Sequence, residues 1–223
     1  MFMISVLCPS RGRPELASQM VNSAKSLAKN NVEIKLYLND DDPVLDQYKN
    51  LIDDCHIVVG PDRSPGYSWN MLAEEATNDY YFLAGDDVNF VTRGWDKIIT
   101  DAFSKYPDKI ACVYPTSPGL KKKKNPHFCV HRNWIDALGY FVPPQFWHWY
   151  VDTWTAELAR SVGRYELVEN CVVEIQKDIK DETTNRVHKM CLRERDHHIW
   201  HTTSTRWLDA DKTCLSNYIR NFK

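Results

Sequence analysis

Residues 78–88 of this chain read NDYYFLAGDDV, and this stretch decides the fold. Its aromatic and apolar centre at 80–83 predicts a short strand that is covered on both faces. Gly85 allows a close approach of the backbone, and Asp86 and Asp87 follow at the carboxyl end of the strand. Ligands bind at that edge of open α/β sheets. The stretch therefore predicts a buried strand that leads into a candidate site.

The acidic pair Asp86-Asp87 predicts a bound cation. Adjacent carboxylates repel each other unless a cation or a shared proton offsets their charge. Hard divalent ions such as Mg²⁺ or Mn²⁺ prefer oxygen ligands of this kind. The alternative is an ordinary turn, since Gly-Asp-Asp is also common turn chemistry. The rest of the chain favours the cation site.

The segments before this stretch predict an α/β fold with a mostly parallel sheet and helices on its faces. Their order is strand, helix, strand, helix, strand, which is typical of βαβ units. We expect Ser68 to cap a further helix that runs to Ala76. The predicted strands are 4–9, 32–38 and 56–59, and the predicted helices are 14–28 and 43–52.

Downstream of Asp87 the pattern predicts shorter elements and then a highly charged remainder at 177–223. No internal repeat or low-complexity linker separates them, which indicates a single domain. The predicted helices are 95–103, 133–138, 152–162 and 209–221, and the predicted strands are 110–114, 128–130 and 171–175.

Charged residues follow the first two predicted strands. The loop after the first strand carries Arg11 and Arg13 just before Pro14, which suits the first position of a helix. A helix N-terminus with two arginines is a natural anion site, and a solvated basic loop is the alternative. Asp40 lies in the acidic run after the second strand.

Bulk composition excludes several protein classes. The chain has 223 residues, 43% hydrophobic content and a formal net charge of −2, so global charge implies neither a nucleic-acid nor a membrane partner. Seven scattered cysteines without C-x-x-C spacing argue against a disulfide framework and fit a reducing compartment. No apolar run approaches a membrane span, and the first strand leaves no room for a signal peptide. We therefore expect a cytoplasmic protein.

Two other segments carry open alternatives. Lys121–Lys124 form either a solvated loop tip or a mobile basic loop that contacts a phosphate or polyanion. The aromatic segment at 140–150 forms either a small core or a stacking platform for a ligand, and core is favoured for most of it.

Four places in the chain resemble the nucleotide-sugar glycosyltransferases of the GT-A fold, most closely the family-2-like group. They are ISVLCPSRGRP at 4–14, Asp40, GYSWN at 66–70 and Asp86-Asp87. This sequence has Gly85 where a strict D-x-D metal motif has its first acid. A weaker match ends at Asp152, where Val151 replaces the glutamate of a Glu-Asp pair.

The resemblance implies roles for single residues. It makes Asp87 a metal ligand and Asp152 the catalytic base of an inverting reaction. His198 is the histidine that we expect in the metal shell, with His188, His197 and His201 as rivals. The residues expected to bind the donor are Pro9, Arg11, Arg13, Asp40, Gly66, Asn70 and Asp86.

The implied function is metal-dependent transfer of a sugar from a nucleoside-diphosphate sugar, a UDP-sugar first among them, to an acceptor hydroxyl. Mn²⁺ or Mg²⁺ would be the cofactor, and the acceptor would be a glycan, a protein or a modified nucleic-acid base. Residues 1–114 would bind the donor, and 115–223 would form the acceptor side of the same domain. The alternatives are a nucleotidyltransferase that makes a nucleotide sugar, and a non-catalytic nucleotide- or sugar-binding module.

Overall fold

The structure is a computed structural model that describes residues 4–118, 126–176, 179–189 and 192–222. The Lys121–Lys124 segment lies outside the described residues. The strands are β1 Ile4–Ser10, β2 Glu33–Asn39, β3 His56–Gly60, β4 Tyr80–Leu83, β5 Val88–Phe90, β6 Cys112–Thr116, β7 Phe128–His131 and β8 Tyr165–Ile175. The α-helices are α1 Pro14–Leu27, α2 Leu45–Leu51, α3 Pro65–Glu75, α4 Trp95–Ala102, α5 Arg132–Leu138, α6 Val151–Ser161, α7 Glu182–Lys189 and α8 Leu192–Asn221.

These strands form one curled sheet in the order β3-β2-β1-β4-β7-β6-β8-β5. The first four in that order are parallel, whereas β7 runs antiparallel to both of its neighbours. Parallel strands place their carboxyl ends at one edge of a sheet. The ends of β1, β2 and β4 therefore meet, and Asp86 and Asp87 lie at that edge. The predicted α/β fold is confirmed.

Two apolar cores cover the two faces of the sheet, because successive strand side chains point to opposite faces. Helices α1, α2 and α4 pack on one face, around Phe82 and the buried Trp95. Helices α3, α5, α6 and α8 pack on the other, around Tyr81 and the buried Trp154. Neither a disulfide nor an apolar helix long enough to span a bilayer occurs among the described residues.

Some predicted element ends are corrected by the structure. Ser64, and not Ser68, caps α3, because its Oγ accepts a hydrogen bond from the N–H of Tyr67 at 3.1 Å. Pro65 then occupies the first turn, as expected of a residue without an N–H. Helix α8 begins at Leu192 and not near 209, and the sequence pattern missed α7 and β5. The charged composition of this region hides a helix that packs through few apolar residues.

Helix α8 fixes the loop that leads into α6. The backbone N–H groups of Trp147, His148 and Trp149 all donate to the carboxylate of Asp196, at distances from 2.8 to 3.2 Å. Asp196 is fully buried, and Arg195 Nη1 donates to it at 2.8 Å. A buried carboxylate needs such donors, because its charge is costly to remove from water. The aromatic loop therefore depends on one side chain of α8.

We expect Asp196→Ala to destabilise the protein strongly. Each of the three backbone N–H groups would lose its acceptor, so the free energy of unfolding should fall by about 3 kcal/mol or more. Asp209→Ala is the matched control, since Asp209 is exposed on the same helix, and it should change that free energy by less than about 0.5 kcal/mol. Urea denaturation followed by circular dichroism measures both values. Equal effects of the two substitutions would contradict the role of Asp196.

Candidate functional site

A cavity of about 400 Å³ lies at the carboxyl edge of β1, β2 and β4. It is lined by five of the residues singled out from the sequence, namely Pro9, Arg11, Arg13, Asp86 and Asp87. His148 and Trp149, from the aromatic segment at 140–150, also line it. The structure adds lining residues that the sequence did not indicate, among them Asn39, Thr184 and Arg186. Three neighbouring strand ends and the segments at 148–149 and 179–186 therefore surround one space.

Asp86 is buried and held on both carboxylate oxygens. Ser10 Oγ donates to its Oδ2 at 2.7 Å, and Arg13 Nη1 donates to its Oδ1 at 3.2 Å. Burial raises the pKa of Asp86 to about 6, although Arg13 and Ser10 oppose this shift, and the nearby charge of Asp87 adds to it. Because its oxygens are already bound by the protein, Asp86 shapes the site and is less available to a cation than Asp87.

Asp87 presents its carboxylate to the cavity. Among the described residues, none forms a hydrogen bond or an ion pair with this carboxylate, and it also lines a polar cavity of about 300 Å³ on its other side. A Cβ at Gly85 would lie 2.5 Å from Asp87 Oδ1, so only glycine permits this position of the carboxylate. Carboxylate oxygens are the ligands that Mg²⁺ and Mn²⁺ prefer. The site therefore fits a divalent cation.

A histidine that the sequence reasoning missed lies beside this carboxylate. His127 is buried, and its Cε1 is 3.7 Å from the position of a Cβ at Gly85. Burial lowers the pKa of His127, while the charge of Asp87 acts in the opposite direction. A lowered pKa keeps the imidazole neutral at pH 7, the form that binds metals. The position of His127 in the sequence does not indicate this contact, because only the pairing of β7 with β4 brings the residue close to Asp87.

The structure places the predicted metal histidine away from Asp87. His198 is exposed on α8 and lines neither the cavity of about 400 Å³ nor the polar cavity beside Asp87. His197 and His201 are also exposed and contact each other, with ring centroids 4.2 Å apart. The side chain of His188 lies outside the described residues. Within the described ranges, no group of three or more His, Cys, Asp or Glu side chains is placed to hold a metal by itself.

His148 is a second histidine in the site. It lines the 400 Å³ cavity, and its buried Nδ1 has no hydrogen-bond partner within the described part of the chain. Burial lowers its pKa, whereas the charges of Asp196 and Asp87 raise it. A buried nitrogen without a partner is costly unless a ligand or water satisfies it.

The two arginines of the first loop are already engaged. Arg11 forms an ion pair with Asp41. Arg13 donates to Asp181 through Nε at 2.7 Å and Nη2 at 3.0 Å, in addition to its bond with Asp86. Thr184 accepts a further bond from Arg13 at 2.8 Å. The segment around α7 thus lies against the basic loop and forms one wall of the cavity.

Asn39, and not Asp40, faces the cavity. Asp40 is exposed at the end of β2, and its N–H donates to Gly60 O at 2.8 Å. Asn39 is only 8% exposed, lies on the same face of β2 as Tyr37, and lines the cavity with it. Its side-chain amide makes no hydrogen bond to the residues that the structure describes. An amide on the wall of a cavity, with no bond to the described residues, is available to a ligand.

Gly66 and Asn70 lie on α3 and hold the aromatic loop. A Cβ at Gly66 would lie 2.5 Å from Phe146 O, so the loop can pack closely only against glycine. Asn70 Oδ1 accepts from the N–H groups of Phe141 and Val142 at 2.9 and 3.0 Å. The sequence predicts that both residues bind the donor; neither lines the 400 Å³ cavity, and their role toward a donor stays a prediction.

Asp152 lies in the first turn of α6, three residues after Trp149. It is half-buried and lines neither the 400 Å³ cavity nor the polar cavity beside Asp87. Its charge contributes to the raised pKa of Tyr114, for which burial is the main cause. Its role as a base stays a prediction.

Known proteins match this chain in structure but not in sequence. No protein-family model and no curated protein matches the sequence. The mannosyltransferase PcManGT from Pyrobaculum calidifontis, in complex with GDP-Man and Mn²⁺, has a TM-score of 0.63 at 10% identity, and the match covers 99% of this chain and 76% of that protein. Glucosyl-3-phosphoglycerate synthase from Mycobacterium tuberculosis, in complex with Mn²⁺, UDP and phosphoglyceric acid, has a TM-score of 0.61 at 13% identity, with coverage of 87% and 78%.

TarS from S. aureus is a third match. The TarS 1-349 structure in complex with UDP-GlcNAc has a TM-score of 0.62 at 11% identity, with coverage of 82% of this chain and 61% of that one. The chain spans 44% of the longer TarS structure. All three proteins are GT-A glycosyltransferases. At these identities the likeness concerns architecture, and it confirms that this chain has the GT-A fold.

Proposed function

We propose that this protein is a glycosyltransferase that moves a sugar from a nucleoside-diphosphate sugar to an acceptor hydroxyl. One observation carries the proposal. At the ligand-binding edge of a GT-A sheet, the carboxylate of Asp86 is bonded to Ser10 and Arg13, whereas no described residue binds the neighbouring carboxylate of Asp87. The matched proteins bind UDP-GlcNAc, UDP or GDP-Man. A nucleotide-sugar donor in the 400 Å³ cavity follows as the simplest proposal.

Asp87 would hold Mn²⁺ or Mg²⁺, with His127 as the neighbouring imidazole. Two of the matched structures contain Mn²⁺. When bound, the ion supplies positive charge against the diphosphate leaving group. Arg11, which lines the cavity in an ion pair with Asp41, would face the same anion from the protein side. Asn39 would contact the base, since an amide offers one donor and one acceptor to a base edge.

The transfer step itself would use Asp152 as the base. The acceptor oxygen attacks the anomeric carbon from the face opposite the diphosphate and forms the new glycosidic bond. The bond from the anomeric carbon to the phosphate oxygen breaks, and the nucleoside diphosphate departs with that electron pair. The acceptor proton passes to the carboxylate of Asp152, which needs hydrogen-bond reach to the acceptor. Attack from the opposite face inverts the anomeric centre.

The first prediction of the proposed function concerns nucleotide binding through Asp87. A ligand at 100 times its Kd adds about 2.7 kcal/mol to the free energy of unfolding. We therefore expect UDP, GDP or CDP to raise the melting temperature of the purified protein, and Mn²⁺ to increase that shift. Asp87→Asn should abolish the part that depends on Mn²⁺.

Asp46→Asn is the control for this experiment. It makes the same chemical change at a side chain that is 90% exposed on α2, and it should leave the shift intact. If nucleotides raised the melting temperature equally with and without Mn²⁺, the metal site would be contradicted. If no nucleotide raised it, the cavity would bind a different ligand.

The second prediction separates Asn39 from Asp40. Removal of an amide that contacts a base should cost about 1–3 kcal/mol of binding, which is about fivefold to 150-fold in Kd. We expect this loss for Asn39→Ala, and no measurable change for Asp40→Ala, in isothermal titration with the nucleotide that binds best. The reverse pattern would restore Asp40 as the base contact.

The third prediction tests the base. Asp152→Asn keeps the shape of the side chain but cannot take a proton, so transfer should fall by about a hundredfold or more. Nucleotide affinity should stay unchanged. Glu157→Gln, a half-exposed carboxylate on the same helix, should retain full activity. Undiminished transfer by folded Asp152→Asn protein would remove Asp152 from the mechanism.

A further inference from the structure

A second and larger cavity lies beside the first. It has a volume of about 830 Å³ and lies between α3 and α5, over Tyr81 of β4. Asp62, Arg63 and Leu192 line both cavities, so the two spaces are neighbours. A volume of this size is typical of small-molecule sites. The proposed reaction of a nucleotide sugar leaves this space without a role.

The walls of the larger cavity are rich in aromatic rings. Trp147 is 39% exposed there, and the guanidinium of Arg195 stacks on it at 4.0 Å from the ring centroid. This contact fixes the indole before any ligand arrives. Of the other aromatic lining residues, Tyr67 and Tyr140 are half-buried, whereas Tyr81 and Phe141 are buried behind them. Rings of this kind bind the C–H faces of sugars as well as flat aromatic groups.

The charged residues of the larger cavity indicate whether it suits a sugar or a flat aromatic group such as a nucleic-acid base. Glu74 and Asp136 line it and form neither ion pairs nor hydrogen bonds with other described residues. Arg63 stacks on Tyr67 at 4.6 Å, and Arg132 forms an ion pair with Asp79 at 3.5 Å. Open carboxylates accept hydrogen bonds from hydroxyl groups and repel phosphates. The lining therefore favours a neutral, hydroxylated ligand over a nucleic acid.

We propose that this cavity binds a neutral saccharide, which is the part of the acceptor that lies outside the reaction centre. That the saccharide is part of the acceptor depends on the proposed function, whereas the binding of a saccharide in this cavity does not. The shared residues Asp62 and Arg63 would place the saccharide next to the donor. The rings of Trp147 and Tyr67 would contact the sugar faces, and Glu74 and Asp136 would accept hydrogen bonds from hydroxyl groups.

Saturation-transfer NMR with the purified full chain tests this, without nucleotide or metal present. The probes are glucose, galactose, N-acetylglucosamine, maltose, cellobiose and lactose, with a single-stranded DNA 12-mer and glucose 6-phosphate as charged competitors. We expect at least one neutral sugar to bind in the millimolar range and to bind more tightly than glucose 6-phosphate or the DNA.

Three variants locate the binding. Trp147→Ala should weaken the sugar by about tenfold, and Ala73→Phe should do so by filling the cavity that Ala73 lines. Trp207→Ala should have no effect, because Trp207 is similarly exposed, at 41%, but lines neither cavity. Binding of no neutral sugar, tighter binding of the DNA, or equal losses in all three variants would overturn the proposal.

Binding of UDP with Mn²⁺, measured on the same samples, separates this proposal from the proposed function. Sugar binding without nucleotide binding would support the saccharide site and contradict the donor site. Nucleotide binding without sugar binding would contradict the saccharide site alone.

Discussion

The buried carboxylate of Asp86 is the constraint on which the site depends. Burial of a charge is unfavourable unless donors surround it, and here Ser10 and Arg13 supply those donors from the end of β1 and the loop after it. Tyr48 of α2 contacts Ser10 Oγ at 2.8 Å and accepts from the N–H of Arg13. The bonds that satisfy one carboxylate therefore also fix the loop before α1, and they leave Asp87 as the open acid of the pair.

The opposite wall of the cavity depends on a second buried carboxylate. Asp196 of α8 holds the backbone of the loop that carries His148 and Trp149. The loop ends at Tyr150, whose φ of 68° is costly for a residue with a side chain. The ring of Tyr150 stacks on Trp200 of α8 with a centroid distance of 5.2 Å, which offsets that strain. Helix α8 thus positions site residues without lining most of the cavity itself.

The parallel half of the sheet could be predicted from the sequence because each of its strands carries a local apolar pattern. Asp86 and Asp87 could be found for the same reason, since they follow β4 directly. His127 could not, because only the antiparallel pairing of β7 with β4 brings it to Asp87. The choice between Asn39 and Asp40 depends on the pleat of β2, which places neighbouring side chains on opposite faces. Local patterns therefore predict elements, and non-local contacts decide which side chain faces a ligand.

The pairing of the arginines in the cavity bears on the need for a metal. Arg11 is neutralised by Asp41, Arg13 by Asp86 and Asp181, and Arg186 by Asp62. Arg63 also lines the cavity and stacks on Tyr67, with no carboxylate partner among the described residues. A bound diphosphate would therefore meet one unpaired guanidinium and little other uncompensated positive charge from the lining arginines. A cation bound together with the ligand would add positive charge, and Asp87 is the lining carboxylate that none of these arginines engages. In the proposed reaction, an ion held by Asp87 would therefore act together with Arg63 to offset the charge on the leaving group.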